Sequence, residues 1–398
     1  MSRLKYSNKI LIILILLFGL LFLPSNVEAV PTTRTVCPNP VGSCSPSDPS
    51  FVGADGIVAA ITASSNGDTV SIKNGTYSGF AINQQGNYNY FIVLTKNLII
   101  TGESTNGTIL SGAGANKASM FLINNTGNST ISNLSITGSQ VITCPATPCS
   151  YGVGIEIQAT GSETLSLANL KIFSNEASAV WPYGSSKVSI SNSTIYSNVN
   201  NGVYISGTSN LNITNTTVYD NSTGIRYGEN STGTISGSTI RNNTSNGIFI
   251  EEKSVVVVNN NLIYSNAHVG LRLYETSQTS GTGNTIYSNL YTGHASGVYC
   301  SESAVLGTWT NNNVWNNANG NYGSDPVGLC TDKTGTNGNI SVDPQSLLSS
   351  SSSSSVSLLP ETALGDNSFL KIFISFLAIC IGIIFLSRHF ATISKEDN

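Results

Sequence analysis

The stretch Ile190-Ser-Asn-Ser-Thr-Ile-Tyr-Ser-Asn198 decides the fold, because close copies of it recur along the chain. Leu167-Ala-Asn-Leu-Lys-Ile-Phe-Ser-Asn175 precedes it and Ile213-Thr-Asn-Thr-Thr-Val-Tyr-Asp-Asn221 follows it. The sixth position of each unit is apolar and falls at residues 172, 195, 218, 240, 263, 286 and 314, in steps of 22 or 23 and a last step of 28. Such steps are too short for a strand plus a helix pair. They predict coils that each contain three short strands and turns.

The ninth position of the unit is asparagine in every copy. Asparagine tolerates the left-handed conformation that a tight turn requires, and asparagines stacked ~4.8 Å apart can bond to one another in a ladder. The positions are Asn175, Asn198, Asn221, Asn243, Asn266, Asn289 and Asn317. A shorter column contains Asn133, Asn169, Asn192, Asn215, Asn260 and Asn311. Both columns predict parallel coils that stack in register.

A second strand follows each of these turns, opening with glycine or alanine and alternating thereafter, as in Gly202-Val-Tyr-Ile205. Alternation with period two places one column of side chains inward, where it fills the bore of the stack. The predicted inward residues are Ile155, Val180, Val203, Ile225, Ile248, Leu271 and Val298.

These repeats resemble the parallel β-helix proteins with a pectin-lyase-like fold, over about residues 52–345. Asp55-Gly-Ile-Val-Ala-Ala-Ile-Thr-Ala63 is similar to the short capping helix of that family, and Gly338-Asn-Ile-Ser-Val-Asp-Pro344 to its closing segment. The resemblance implies an all-β, right-handed parallel β-helix of about ten coils with an N-terminal helical cap. The helix would cover an open strand edge.

The N-terminal segment predicts export. Arg3, Lys5 and Lys9 precede the apolar run 10–23, and the small residues Val27 and Ala29 follow it. This pattern predicts a secretory signal peptide over residues 1–29, with an uncleaved signal anchor as the alternative. Residues 30–51 are then the first extracellular segment.

The C-terminal segment predicts attachment to the cell surface. The apolar stretch 369–387 is long enough for a transmembrane helix, and the basic residues after it place 388–398 in the cytoplasm. A Ser-rich stalk over 346–368 precedes it and ends in Leu359, Pro360, Glu361, Thr362 and Ala363. Motif, apolar helix and tail together resemble the sorting signal that sortases read, although Ala363 stands where glycine is commonest. Covalent attachment to a cell wall and a plain membrane anchor both remain open.

Charge and cysteines limit the partners and the compartment. Segment 30–368 has 11 Lys or Arg and 18 Asp or Glu, hence a net charge of −7, which argues against binding nucleic acid. Six cysteines outside the apolar stretch form three candidate disulfides in an oxidising compartment. The pairs are Cys37 with Cys44, Cys144 with Cys149, and Cys300 with Cys330.

The outward position of the second strand is the strongest candidate binding surface. Its residues are Glu156, Trp181, Tyr204, Arg226, Phe249, Arg272 and Tyr299. Aromatic faces stack on sugar rings and guanidinium groups pair with carboxylates, so the column predicts a platform for a polysaccharide or another cell-surface ligand. The alternative is a set of residues chosen for strand propensity alone.

A column of glutamates lies three positions further on, with Glu251 beside it. Its members are Glu229, Glu252, Glu275 and Glu302. They could hold Ca²⁺, the one cofactor considered, or Glu252 and Glu275 with Arg272 could carry acid–base chemistry on a glycan. The alternative, which we favour, is a salt-bridge network with Arg226 and Arg272. His294, in a nearby inserted loop, is a further acid–base candidate.

Enzyme signatures of the resembled family are missing from the sequence. There is no paired-aspartate cluster followed by His-Gly and Arg-x-Lys, and no Trp-x-Asp-His run. We therefore expect a non-catalytic, adhesin-like surface protein. A lyase or glycoside hydrolase acting on acidic glycans, and a structural spacer of the envelope, are the alternatives.

Overall fold

The computed structural model describes residues 30–125, 128–143, 150–158, 160–161 and 164–343. The predicted signal peptide, stalk, sorting motif, apolar segment and tail lie outside these residues, and so do Cys144 and Cys149. Among the described residues, no helix has the length and apolar character needed to cross a membrane.

Three long sheets contain nearly all strands of the described residues. The first sheet consists of Thr33–Val36, Thr69–Ile72, Ile99–Gly102, Thr130–Ser132, Leu165–Ala168, Lys187–Ser191, Asn210–Thr214, Thr232–Ser236, Val255–Asn259, Gln278–Thr282 and Val305–Thr310. The second consists of Gly75–Tyr77, Thr108–Ser111, Ser135–Thr137, Lys171–Phe173, Thr194–Tyr196, Thr217–Tyr219, Thr239–Arg241, Leu262–Tyr264, Thr285–Tyr287 and Asn313–Trp315. The third consists of Asn83–Gln85, Tyr88–Leu94, Ser119–Ile123, Ile155–Ile157, Val180–Pro182, Val203–Ile205, Ile225–Tyr227, Ile248–Ile250, Leu271–Leu273, Val298–Ser301 and Tyr322–Asp325.

Each strand pairs in parallel with its counterpart in the next coil, so the sequence repeat is also the hydrogen-bonding register. Ile195 pairs with Val218 and Val218 with Ile240, for example. Two pairs of strands run antiparallel: Asn83–Gln85 with Tyr88–Leu94, and the small hairpin of Val141–Ile142 with Ser150–Tyr151. The eleven-stranded sheets confirm the predicted all-β solenoid of about ten coils.

A single described helix, Gly53–Ala63, covers the N-terminal end of the stack. It buries one face, which includes Ala54, Ile57 and Ala60. The acidic Asp55 lies in its first turn, where the helix dipole favours a negative charge. The predicted capping helix is therefore confirmed. Strand Thr33–Val36 pairs with Thr69–Ile72, so the first sheet begins before residue 52.

The bore of the solenoid is filled by apolar columns from all three sheets. Ile190 in the first sheet, Ile195 in the second and Val203 in the third are each at most 1% exposed. All seven residues predicted to point inward in the third sheet are fully buried. Because successive side chains of a strand point to opposite faces, the residues between these columns point to the outside.

The asparagine ladder is present, but it does not provide the left-handed turn residue that the sequence suggested. Each ladder side chain is buried and donates from Nδ2 to Oδ1 of the next, at 3.0 Å from Asn198 to Asn221. The residue just before each ladder asparagine has the positive φ: Ser174, Ser197, Asp220, Asn242, Ser265, Ser288 and Asn316. The preceding residue reverses the chain, so that the asparagine side chain can turn into the coil and bond to its carbonyls. In the shorter asparagine column all six residues do have positive φ.

A second buried ladder lies at the turn between the first and second sheets. Its members are Ser193, Thr216, Ser238, Asn261, Asn284, Asn312 and Asn339. Nδ2 of Asn261 donates to Oδ1 of Asn284 at 3.0 Å, and the pattern continues to Asn312 and Asn339. Sequence analysis missed this column because its first three members are serine or threonine.

Two of the predicted disulfides are present. Cys37 bonds to Cys44 beside the first strand, and Cys300 in the third sheet bonds to Cys330. The third predicted pair, Cys144 with Cys149, lies outside the described residues.

Candidate functional site

The predicted platform forms a continuous row on the outer face of the third sheet. Tyr204 pairs with Arg226 across neighbouring coils, and Phe249 pairs with Arg272. The rings of Trp181 and Tyr204 stack with their centroids 5.9 Å apart. Trp181, Tyr204, Arg226, Phe249 and Arg272 thus lie one coil apart, and each is half-buried. We call these five residues the platform.

Arg226 is neutralised inside the platform. Its Nη2 lies 2.5 Å from Oε1 of Glu251, and its Nε donates to the same oxygen at 2.6 Å. The guanidinium carbon is 5.0 Å from the ring centroid of Tyr204 and 5.7 Å from that of Phe249. Burial raises the pKa of Glu251, and Arg226 opposes that rise. This pair fits the salt-bridge alternative for the glutamates.

Arg272 differs from Arg226 because it has no ion-pair partner among the described residues. Its guanidinium carbon is 5.2 Å from the ring centroid of Phe249 and 5.9 Å from that of Tyr274. Its Nε is buried and has no hydrogen-bond partner there. A buried donor without a partner is costly, by about 1–3 kcal/mol, so the site favours a ligand that accepts a hydrogen bond. The predicted network that joins Arg272 to the glutamates is not formed.

The two ends of the predicted column are covered and do not belong to the open platform. Glu156 is only 2% exposed, because Tyr90 from an earlier coil lies over it. Tyr299 is 8% exposed, because the imidazole of His294 stacks on its ring with centroids 3.5 Å apart. Burial lowers the pKa of His294. Both residues point away from the bore, as predicted, but neither offers a free face to a polymer.

A cavity of about 370 Å³ surrounds Glu156 at the N-terminal end of the platform. It is lined by Gln85, Tyr88, Tyr90, Leu122, Asn124, Tyr151, Glu156, Gln158, Trp181 and Tyr183. The Tyr90 hydroxyl donates to Oε1 of Glu156 at 2.9 Å. Burial raises the pKa of Glu156 to about 7, and hydrogen bonds from Tyr90 and Tyr183 partly oppose that rise. We call this the Glu156 cavity.

The predicted glutamate column lies at the turns that follow the third-sheet strands. Its four members all have positive φ, between 58° and 62°. Glu229 is exposed and accepts a hydrogen bond at Oε2 from the backbone N–H of Gly207 at 2.7 Å. A hydrogen bond with Glu302 raises the pKa of Tyr274. Glu252 and Glu275 line a shallow groove with Lys253. Within the described part of the chain, no three His, Cys, Asp or Glu side chains are grouped so that they could hold a metal ion.

Comparison with known proteins identifies the family. Residues 55–221 and 178–341 match the family model described as right handed beta helix region. The chain belongs to the right-handed β-helix family. This confirms the handedness and the fold that the repeats predict.

Solved structures of other proteins are similar to this chain. Pectate lyase Pel9A is 16% identical, with a TM-score of 0.53, and the match covers 85% of this chain and 90% of that one. The A-module of mannuronan C-5 epimerase AlgE6 from Azotobacter vinelandii is 18% identical, with a TM-score of 0.48, over 66% of this chain and 81% of that one. No curated protein matches the sequence. At these identities the likeness concerns the fold alone.

This β-helix carries a second outward column that the sequence analysis did not single out. It lies on the second sheet and consists of Phe173, Tyr196, Tyr219, Arg241, Tyr264, Tyr287 and Trp315. Phe173, Tyr196 and Tyr219 stack with centroids 5.0 Å apart, close to the spacing of the coils. The sequence does indicate this column, because the seventh position of the repeat unit is aromatic in six of the seven copies.

Proposed function

We propose that this β-helix binds an acidic polysaccharide along the platform. The observation that carries the proposal is Arg272, a guanidinium between two aromatic rings with no ion-pair partner among the described residues. A carboxylate of the polymer would supply the acceptor that this group lacks. The neighbouring rings of Phe249, Tyr204 and Trp181 offer apolar faces on which sugar rings stack.

The shape of the platform suits an extended polymer. From Trp181 to Arg272 there are four coil steps, which at ~4.8 Å each make a row roughly 19 Å long. The row runs along the axis of the solenoid, so a linear chain can follow it over several sugar units. Arg226 is already neutralised by Glu251, and its contribution is therefore a flat surface rather than a free charge.

We also propose that binding takes place outside the cell. The predicted signal peptide over 1–29 and the apolar segment 369–387 support this, as do the two disulfides of the described residues. The protein would stay attached through a membrane helix or through sortase processing at Thr362. A Thr362→Ala variant separates the two. Sortase processing predicts that digestion of the cell wall releases the wild type but not the variant, whereas a plain anchor predicts the same fractionation for both.

The test of the main proposal is a binding measurement on the intact chain in detergent. Alginate, polygalacturonate and the neutral polymer dextran would be compared, with Arg272→Gln and Arg241→Gln as matched variants. Arg241 also lies over a tyrosine, with its guanidinium carbon 4.3 Å from the ring centroid of Tyr219, but it belongs to the second sheet. We expect Arg272→Gln to weaken binding of an acidic polymer about tenfold, which corresponds to about 1.4 kcal/mol, and Arg241→Gln to change it little.

Other outcomes would overturn the proposal. Equal losses in the two variants would mean that binding follows net charge rather than the platform. Equal affinity for dextran would remove the role of the carboxylate. Reducing ends or unsaturated sugars appearing during the incubation would favour the enzyme alternative, and Glu252→Gln and Glu275→Gln would then be assayed.

A further inference from the structure

The Glu156 cavity holds a carboxylate without a counter-ion. Glu156 is nearly inaccessible, and the described residues place no Lys, Arg or His within ion-pair distance of it. Oε1 accepts a hydrogen bond from the Tyr90 hydroxyl, and the hydroxyl of Tyr183 also interacts with the carboxyl group. Oε2 is buried and has no hydrogen-bond partner among the described residues. Burying such a group costs free energy unless something pairs with it, so the cavity favours a ligand that can pair with the carboxylate.

The walls of the cavity are aromatic. Tyr88 and Tyr151 stack with centroids 4.9 Å apart, and the rings of Tyr151 and Trp181 form a T-shaped pair with centroids 5.3 Å apart. The ring centroids of Trp181 and Tyr183 are 5.2 Å apart. Together with Tyr90, five aromatic rings surround one carboxylate. Aromatic faces carry partial negative charge and attract cations, and ammonium groups are held in this way in aromatic cages.

We infer that the Glu156 cavity binds a small organic cation that carries an ammonium group, with Glu156 as its counter-ion. The lining has no positive side chain, and apart from Glu156 and the tyrosine hydroxyls its polar members are the amides Gln85, Asn124 and Gln158. An anionic sugar would meet only a like charge there. A neutral ligand would leave the carboxylate uncompensated. A cation satisfies the carboxylate and the rings at once, and 370 Å³ is enough room for an amino sugar or a choline-sized group.

Binding of a cation should be coupled to loss of a proton. In the empty cavity the pKa of Glu156 is about 7, because burial disfavours the charged form. A bound ammonium group favours the charged form, so the cation competes with the proton. Affinity should therefore rise with pH up to about 7 and level off above it. The change between pH 6 and pH 8 should be about tenfold.

The experiment is titration calorimetry on the intact chain in detergent, with choline as the probe because its charge does not depend on pH. The neutral isostere 3,3-dimethylbutan-1-ol serves as the matched ligand, and glucosamine against glucose tests an amino sugar as the source of the ammonium group. Glu156→Gln keeps the acceptor for Tyr90 and removes the charge. Glu252→Gln removes a charge from a half-buried turn residue that does not line the cavity, and it serves as the control.

We expect at least one of the two cations to bind, its neutral counterpart to bind at least tenfold more weakly, and Glu156→Gln to lose at least tenfold. Glu252→Gln should bind like the wild type. The inference is overturned if neither cation binds, if the neutral ligands bind equally well, or if Glu156→Gln retains the affinity. Trp181 belongs to both the platform and the cavity wall, whereas Arg272 belongs to the platform alone. Arg272→Gln should leave cation binding unchanged, so failure here and failure of the polysaccharide proposal are distinguishable.

Discussion

Asn198 directs two hydrogen bonds to a single oxygen atom of Asn221, which lies 23 residues later at the turn between the second and third sheets. The side-chain Nδ2 and the backbone N–H of Asn198 both donate to Oδ1 of Asn221, each at 3.0 Å. Asn221 repeats the arrangement with Asn243. The ladder therefore satisfies buried backbone and side-chain donors together, because each asparagine accepts hydrogen bonds from the asparagine of the preceding coil.

Replacing one rung should destabilise the solenoid strongly. In Asn221→Ala the two donors of Asn198 lose their acceptor in a buried site, and we expect a loss of about 2–4 kcal/mol in the free energy of unfolding. Urea unfolding of the intact chain measures it. Asn212→Ala is the control, because Asn212 is exposed on the first sheet of the same coil. Similar losses in both variants would contradict a special role for the ladder.

The glycine that precedes a third-sheet strand in most of the regular coils, such as Gly224, should resist enlargement. A Cβ at Gly224 would lie 2.5 Å from the carbonyl oxygen of Gly247 and 2.9 Å from Nδ2 of Asn243. Gly224→Ala should therefore cost about 1–3 kcal/mol through overpacking against the ladder. Gly307→Ala is the control, since its nearest neighbour would be 3.3 Å away. Thermal unfolding should show a lower midpoint for the first variant alone, and an unchanged midpoint there would contradict this packing.

The coils could be predicted from the sequence because the step of 22 or 23 residues fixes both the register and the inward columns. Val180 and Val203 are partners in the third sheet for the same reason that they align in the sequence. The seven inward residues of the third sheet follow from this spacing, and the Cys37–Cys44 disulfide follows from the closeness of its cysteines in sequence. The cap helix was instead implied by the resemblance to the β-helix family, and Cys300–Cys330 was the pair that remained. The left-handed turn residue was assigned one position too late, because the repeat alone does not tell which of two neighbouring residues reverses the chain.

The site was harder to predict, because its covering groups lie where the repeat is interrupted. Tyr88 and Tyr151 are 63 residues apart in irregular coils, yet the Tyr151 hydroxyl donates to that of Tyr88 at 2.9 Å. No periodicity relates such residues. Glu156 shares its column with Arg226 and Arg272, and the sequence therefore predicted the same exposure for all three. The burial of Glu156 depends on Tyr90, which belongs to a coil with another spacing.

Releasing Arg226 from its partner should strengthen binding of an acidic polymer. In Glu251→Gln the platform gains a second free cation, and we expect affinity to rise about two- to fivefold, which corresponds to about 0.4–1 kcal/mol. Glu103→Gln is the matched control, because it frees Lys73 away from the platform. Binding is measured at low and at moderate salt, and the gain should shrink as salt is added. Equal gains in both variants would assign the effect to net charge.

The burial of Glu156 should also appear in the pH dependence of stability. Its pKa is about 7 in the folded protein against an ordinary value of 4.5, so the folded state keeps a proton that the unfolded state releases between these values. Stability contributed by this group is therefore present below pH 4.5 and is lost as the pH rises to about 7, by at most about 3 kcal/mol.

Glu156→Gln should remove this loss, so that at pH 8 the variant is at least as stable as the wild type. Urea unfolding at pH 5, 6, 7 and 8 measures the difference between the two proteins. This range avoids the titration of Asp68, whose pKa is lowered by hydrogen bonds from the backbone of Ser65 and Thr32. The contribution of Asp68 to stability is lost as the pH falls, opposite to that of Glu156. Parallel pH profiles for wild type and variant would mean that the carboxylate of Glu156 is solvated or paired. In that case the argument for a cation in its cavity would lose its basis as well.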